Sequence, residues 1–124
     1  MSFLPIYRIL NNNTNISSKI NVSQKVYEDF APVGTKPPFI VWQTLTGQAM
    51  NDLDSPAKFD SLQFQIMVYS DNAKEAYEIK DSIRVAIEDK AWILNPALSS
   101  FESAKGLYAR GFDANWILER SAQL

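Results

Sequence analysis

From Phe59 to Ser70 the side chains alternate between apolar and amphipathic, and that alternation limits what this chain can fold into more than any other feature. Leu62, Phe64, Ile66 and Val68 fall on one side; Ser61, Gln63, Gln65, Met67 and Tyr69 fall on the other. Successive side chains of a strand point to opposite faces, so one face of this strand has to cover a core. Directly after it, Asn72 and Glu75 stand at the spacing of a helix N-cap and its N3 partner. Ala76, Ile79, Ile83, Ala86 and Ile87 then recur at intervals of three and four, which predicts an amphipathic helix ending near Lys90. Neither apolar surface is stable in water, so the helix stripe is predicted to pack on the Leu62–Val68 face.

The other elements follow from similar signals. Phe39 to Thr46 is rich in β-branched and aromatic residues and reads as a strand, with Phe39, Val41 and Leu45 on one face and Ile40, Trp42, Thr44 and Thr46 on the other. Ser2 to Leu10 predicts a short first helix, capped by Ser2, with Pro5 tolerated in its first turn. Thr14 to Gln24 reads as a connection with room for a helical turn, Lys25 to Phe30 as a strand, and Ala31 to Pro38 as a loop. Gly47 to Ala57 reads as a loop longer than an ordinary hairpin connection. Beyond the helix, Asn95-Pro96 reads as a break. Two more strands are expected from about Leu98 to Tyr108 and from Phe112 to Ser121, with Arg110-Gly111 as the turn between them.

The order is therefore α-β-β-β-α-β-β: an α+β fold, a mainly antiparallel sheet with helices packed on one face. With 124 residues, 46% of them apolar, the chain is long enough for one continuous core, and a single domain over residues 1–124 is expected.

Chemistry is restricted by what the chain lacks. It has no Cys, which excludes disulfides, thiolate nucleophiles and cysteine-ligated metals. It has no His, the commonest general base near neutral pH and the commonest metal ligand, so Ser-His-Asp and Cys-His arrangements cannot be built. The expectation is a protein that is not an enzyme and takes no cofactor. Twelve basic residues against fourteen acidic ones, with the basic residues scattered, argue against a phosphate-binding stripe and hence against sequence-specific nucleic-acid binding. No apolar run reaches the ~20 residues that cross a bilayer, and the first ten residues lack the pattern of a secretory signal.

The candidate sites are few. Asn51, Asp52 and Asp54 form the one compact acidic cluster in a loop, but a calcium loop needs more ligands and a closing Glu, and turn chemistry explains these residues as well. No metal site is expected. Trp42, Tyr69 and Trp116 read as sheet and core packing in preference to a base-stacking platform. Met50 and Leu53 put apolar groups beside Asp52 and Asp54 in a long loop that reads either as reaching a neighbouring subunit or as a plain hairpin tip. The second face of the sheet, read as Gln63, Gln65, Met67 and Tyr69 with Trp42 and Thr44, is too apolar for open water and too polar for a core. That mixture fits a subunit interface, where Met and aromatic side chains are enriched, or an antiparallel sheet with one wet face. The candidate interface residues are therefore Met50, Asp52, Leu53, Asp54, Met67 and Tyr69.

The strings Pro38-Phe39-Ile40-Val41-Trp42-Gln43, Phe64-Gln65-Ile66-Met67-Val68-Tyr69-Ser70, and Ala76 followed by Ile79-Lys80-Asp81-Ser82-Ile83-Arg84-Val85-Ala86 resemble the tail completion (tail terminator) proteins of long-tailed bacteriophages. The first helix, Val26-Tyr27, Ala31-Pro32 and the final strand pair from Tyr108 to Glu119 fit the same pattern, so the likeness covers almost the whole chain. The resemblance implies a structural phage or prophage protein found in the virion tail, assembled in the host bacterial cytoplasm. It implies a homo-oligomeric ring, typically hexameric, that caps the tail tube and offers the head-tail joining surface. The implied partners are the tail tube protein and the head-completion or connector protein, with DNA passing through unread. The family has no catalytic motif to transfer. A small bacterial adaptor or regulatory protein-binding domain is the alternative reading of the residues alone.

Overall fold

In a computed structural model, residues 4–51 and 56–119 are described. The helices are α1 (Ile6–Asn11), α2 (Thr14–Ser17), α3 (Val22–Lys25) and α4 (Ala73–Ile87). The strands are β1 (Val26–Glu28), β2 (Phe39–Met50), β3 (Phe59–Ser70), β4 (Trp92–Glu102) and β5 (Leu107–Glu119). They form a single five-stranded sheet in the order β1-β2-β3-β5-β4. Every pair is antiparallel except β1 with β2, so the sheet is mixed.

The alternation of β3 does what the sequence requires. Phe64, Ile66 and Val68 are buried against Ala76, Ile79, Ile83 and Ile87 of α4. Flanking strands add Ile40, Trp42, Phe112 and Ala114 to this core, and the N-terminal helices add Ile6, Leu10, Ile16 and Val22. The entry to α4 is pinned locally. The Asn72 side chain accepts from Glu75 N at 3.1 Å, and buried Ser70 Oγ donates to Glu75 Oε1 at 2.7 Å while accepting from Asn72 N at 3.0 Å. Lys19 Nζ donates to Ser82 Oγ at 2.6 Å, tying the segment after α2 to α4.

Several sequence expectations are corrected. The Thr14–Gln24 connection is largely two short helices, and the first helix begins at Ile6 because Pro5 takes the N-cap position. Ser2, its expected cap, lies outside the described residues, as does Ser121, where the last strand was expected to end. β1 is shorter than Lys25–Phe30, and Asp29 leaves it with a left-handed φ of 73°. β2 runs on through the expected loop to Met50, because Gly47 pairs with Leu62, whose side chain occupies the space a Cβ at Gly47 would need. The last helix stops at Ile87 and closes in a turn to Lys90.

The largest correction concerns Arg110-Gly111, which lies in the middle of β5. The turn between β4 and β5 falls instead at residues 103–106, where Gly106 takes a φ of +65°. Gly111 serves close packing: a Cβ there would run into the Ile66 carbonyl and the Met67 side chain. The Asn95-Pro96 break also lies inside a strand. β4 is an edge strand, where a proline's missing N–H costs no ladder bond, and the register shifts on both sides of Asn95 absorb the kink.

Candidate interaction face

Helices cover one face of the sheet, and the register fixes what lies on the other. Phe39 pairs with Tyr69, Val41 with Met67, Gln43 with Gln65 and Met50 with Phe59. Across β3, Met67 faces Gly111, Gln65 faces Asp113 and Gln63 faces Asn115. Residues directly opposite share a face, so these side chains form one continuous surface. Trp42 does not belong to it. It pairs with Ile66 and is buried on the helix side, and Thr44, opposite Phe64, lies on that side too. Trp42, Tyr69 and Trp116 therefore form no common platform: Trp42 and Trp116 pack with the core, and Tyr69 faces the other way.

This open face has three zones. At the end where β2 begins, Phe39 and Tyr69 stack with ring centroids 5.0 Å apart and planes 16° from parallel. The loop from Phe30 to Pro37 folds beside them and encloses a cleft of about 620 Å³, rimmed by Asp29, Lys36, Asp71, Glu102 and Lys105. Burial, followed by the nearby Glu102 charge, raises the pKa of Tyr69 above that of an ordinary tyrosine, so its phenol stays neutral.

The middle zone is polar and internally bonded. Buried Asp113 accepts from Asn95 N and Asn95 Nδ2, both at 2.8 Å, and from Gln63 Nε2 at 3.2 Å. Ser61 Oγ donates to Asn115 Oδ1 at 2.9 Å. Nothing in the spacing of these residues marks the network. Asn95 reads as a chain break and Asp113 as the polar half of an alternating strand, and only the pairing of β4 with β5 brings them together.

The third zone is the end where β2 and β3 are joined. α4 has 15 residues and spans roughly 22 Å at ~1.5 Å per residue, whereas the 12 residues of β3 span roughly 40 Å at ~3.3 Å per residue. The sheet outruns its helix and projects as an arm of β2, β3 and β5. On the open face there, Met50, Phe59 and Ile117 are exposed at 47%, 42% and 41%, and Trp92 on β4 at 73%. The four step diagonally across four adjacent strands: Met50 is opposite Phe59, Ile117 opposite Ser61 and Trp92 opposite Asn115. Exposed apolar side chains grouped on one face in this way mark interaction sites.

The sequence-derived candidates are thus separated. Met50 lies in this set, Tyr69 stacks at the opposite end, and Met67 is buried against Gly111. Asp52, Leu53 and Asp54 lie outside the described residues. Phe59, Ile117 and Trp92 were not among the candidates. Phe59 and Trp92 carry the usual signal of an aromatic at a strand start, but only the sheet order shows that they align. Among the described residues, no group of three or more His, Cys, Asp or Glu side chains could hold a metal ion.

The fold is thus a mixed sheet with helices on one face and an open, partly apolar second face. A chain from the virion of a native gene transfer agent particle has the same fold, with a TM-score of 0.69 at 14% identity, covering 92% of this chain and 91% of that one. No curated protein matches this sequence. The family described as tail completion protein gp17 matches residues 5–110, and the chain belongs to that family. As a member of that family it is a phage structural protein.

Proposed function

We propose that this chain is a ring subunit that caps the finished tail tube and provides the surface to which the head is joined. Six copies make the ring in this reading; its partners are the tube protein below and a head-completion or connector protein above. Assembly takes place in the cytoplasm of the bacterial host, and DNA passes through the ring without being read. The role needs no catalysis and no cofactor: the working parts are the open sheet face and the arm. The observation that carries the reading is the exposed apolar set of Met50, Phe59, Ile117 and Trp92 on the open sheet face of a chain of the tail completion family. Isolated chains rarely keep such a set in water, and contact with a neighbouring protein buries it. Electron microscopy of particles made without this protein tests the proposal. Overlong tubes, or tubes without heads, are the expected result; tails of normal length joined to heads would overturn it.

A further inference from the structure

We propose that copies of this chain join edge to edge, the outer edge of β2 in one copy pairing antiparallel with the outer edge of β4 in the next. The inference rests on the ring reading only in taking a second copy as the occupant of each edge. Among the described residues, β1 shields β2 only from Ile40 to Trp42, and no strand lies outside β4. The outer side of β2 beyond Gln43 and the whole outer side of β4 therefore present backbone donors and acceptors without a strand partner.

Natural sheet edges are usually blunted by charge, proline or irregular register. β4 is blunted in its first half by Pro96 and two register shifts, but Leu98 to Glu102 runs in unbroken register, with one charge at its last residue. β2 contains no charged residue and no proline, and beyond its irregularity at Thr44/Thr46 it runs unbroken from Thr46 to Met50. Each side of the sheet thus offers one unguarded run of five residues. Leu45 and Met50 are exposed on the first of these strands, Leu94 and Phe101 on the second.

Geometry decides how such runs combine. A two-fold contact of β2 with β2 would close a dimer and leave both β4 runs open, whereas pairing opposite edges satisfies every copy and propagates around a ring. β2 is antiparallel to β3, β3 to β5 and β5 to β4, so β2 and β4 run in opposite directions. Rotation about an axis along the strands preserves those directions, and the new ladder is antiparallel. The runs stand at different heights, Thr46–Met50 level with Phe59–Gln63 and Leu98–Glu102 level with Leu107–Gly111. The strands must tilt to bring them together, as closing any sheet requires.

Because the chain has no cysteine, introduced pairs report this contact cleanly. Full-length variants would carry Gln48→Cys or Ala49→Cys together with Ser99→Cys or Ser100→Cys. Under mild oxidation at the highest soluble concentration, at least one double variant is expected to give a ladder of dimers, trimers and larger species. Mixed single variants should stop at dimers, and a single variant alone should give none. Ala49→Lys, which places a guarding charge on the β2 edge, should abolish the ladder and leave the melting temperature unchanged. Dimers from a β2 cysteine alone, or a ladder that survives Ala49→Lys, would overturn the inference. So would the absence of any ladder, and if the unmodified chain then sediments as an oligomer, the ring reading stands without this contact. A chain that neither cross-links nor oligomerises also overturns it, and tail morphology then decides the ring reading separately.

Discussion

Asp113 accepts from Asn95 three times, from the backbone N–H and the carboxamide to Oδ1, each at 2.8 Å, and from the carboxamide to Oδ2 at 3.0 Å. The backbone bond falls where β4 loses register around Asn95, so the carboxylate stands in for the ladder partner that the irregularity removes. Gln63 Nε2 donates to the same carboxylate from β3, linking β4, β5 and β3 through one buried group. Asp113→Ala removes the shared acceptor, leaving Gln63 partly buried without it while exposed Asn95 can turn to water. Losing hydrogen bonds to a charged group costs about 1–2 kcal/mol where one donor can rehydrate, and a shift of that size in the urea midpoint, with unchanged slope, is expected. A loss below about 0.5 kcal/mol, the range of an ordinary surface change, would show that the network does not hold the edge strand.

Gly111 and Met67 set the second test. A Cβ at Gly111 would meet Met67 Sδ at 2.5 Å, Met67 Cα at 2.9 Å and, closer still, the Ile66 carbonyl oxygen. Two of these atoms are backbone of the central strand and cannot step aside. Overpacking of this kind costs about 1–3 kcal/mol, so Gly111→Ala should lower the thermal midpoint clearly. Gly106→Ala meets no atom within 4 Å and carries only the strain of its positive φ, which is about 1–2 kcal/mol for a left-handed residue. Thermal melts of both variants check the difference in cause: Gly111→Ala should also disturb the near-ultraviolet signal of the packed aromatics, and Gly106→Ala should not. Equal, purely thermal losses would count against close packing at Gly111.

The same two glycines show how far the sequence could be read. A period of two in β3 and the three-four spacing in α4 report burial directly, so the central strand, the helix and their contact were legible. A glycine beside an arginine reads equally well as a turn or as a close approach, and the choice depends on Ile66 and Met67, more than forty residues away in the chain. Trp42 was placed on the wrong face for a related reason. Its own strand alternates correctly, but which side meets the helix is set by its pairing with Ile66. The candidate face was legible as a mixture of polar and apolar residues around Met67 and Tyr69. Its most exposed part was not, because the set from Met50 to Trp92 exists only in the sheet order β2-β3-β5-β4.

Tyr69 predicts a pH dependence. Its pKa in the folded chain lies above the ordinary 10.0, from burial first and from the Glu102 charge second. The folded state therefore holds the phenol proton at pH values where the unfolded chain has begun to release it, and unfolding sheds a proton. This contribution to stability is complete below pH 10.0 and fades as the pH rises through the raised value. Urea midpoints of the parent and of Tyr69→Phe, followed from about pH 8 to about pH 11 across the ordinary tyrosine range, should diverge at the alkaline end. The parent should fall more steeply. Glu102→Gln should shift the curve in the same direction as Tyr69→Phe, by less, because the neighbouring charge is the smaller cause. Parallel curves for parent and Tyr69→Phe would show that the phenol ionises alike in both states.

Phe59 and Ile117 separate folding from assembly. Both are more than two-fifths exposed, and both stand on the arm that α4 does not reach. Phe64, five residues along the same strand from Phe59, is fully buried beneath the helix. Truncating a core phenylalanine such as Phe64 to Ala costs about 3–5 kcal/mol, and that variant should unfold or accumulate poorly. Phe59→Ser with Ile117→Ser removes apolar surface that already meets water, and the pair should cost only about 1–2 kcal/mol, in the range of ordinary single substitutions. The doubly substituted chain is expected to be soluble, with a circular dichroism spectrum like the parent's. Supplied to a phage that lacks its own copy, it should fail to restore tails of normal length joined to heads, and microscopy should show the same particles as the deletion. If the folded double variant restores normal virions, the exposed apolar set is not the working surface, and the contact with tube or neighbour must lie on the cleft between Tyr69 and the Phe30–Pro37 loop or on the sheet edges.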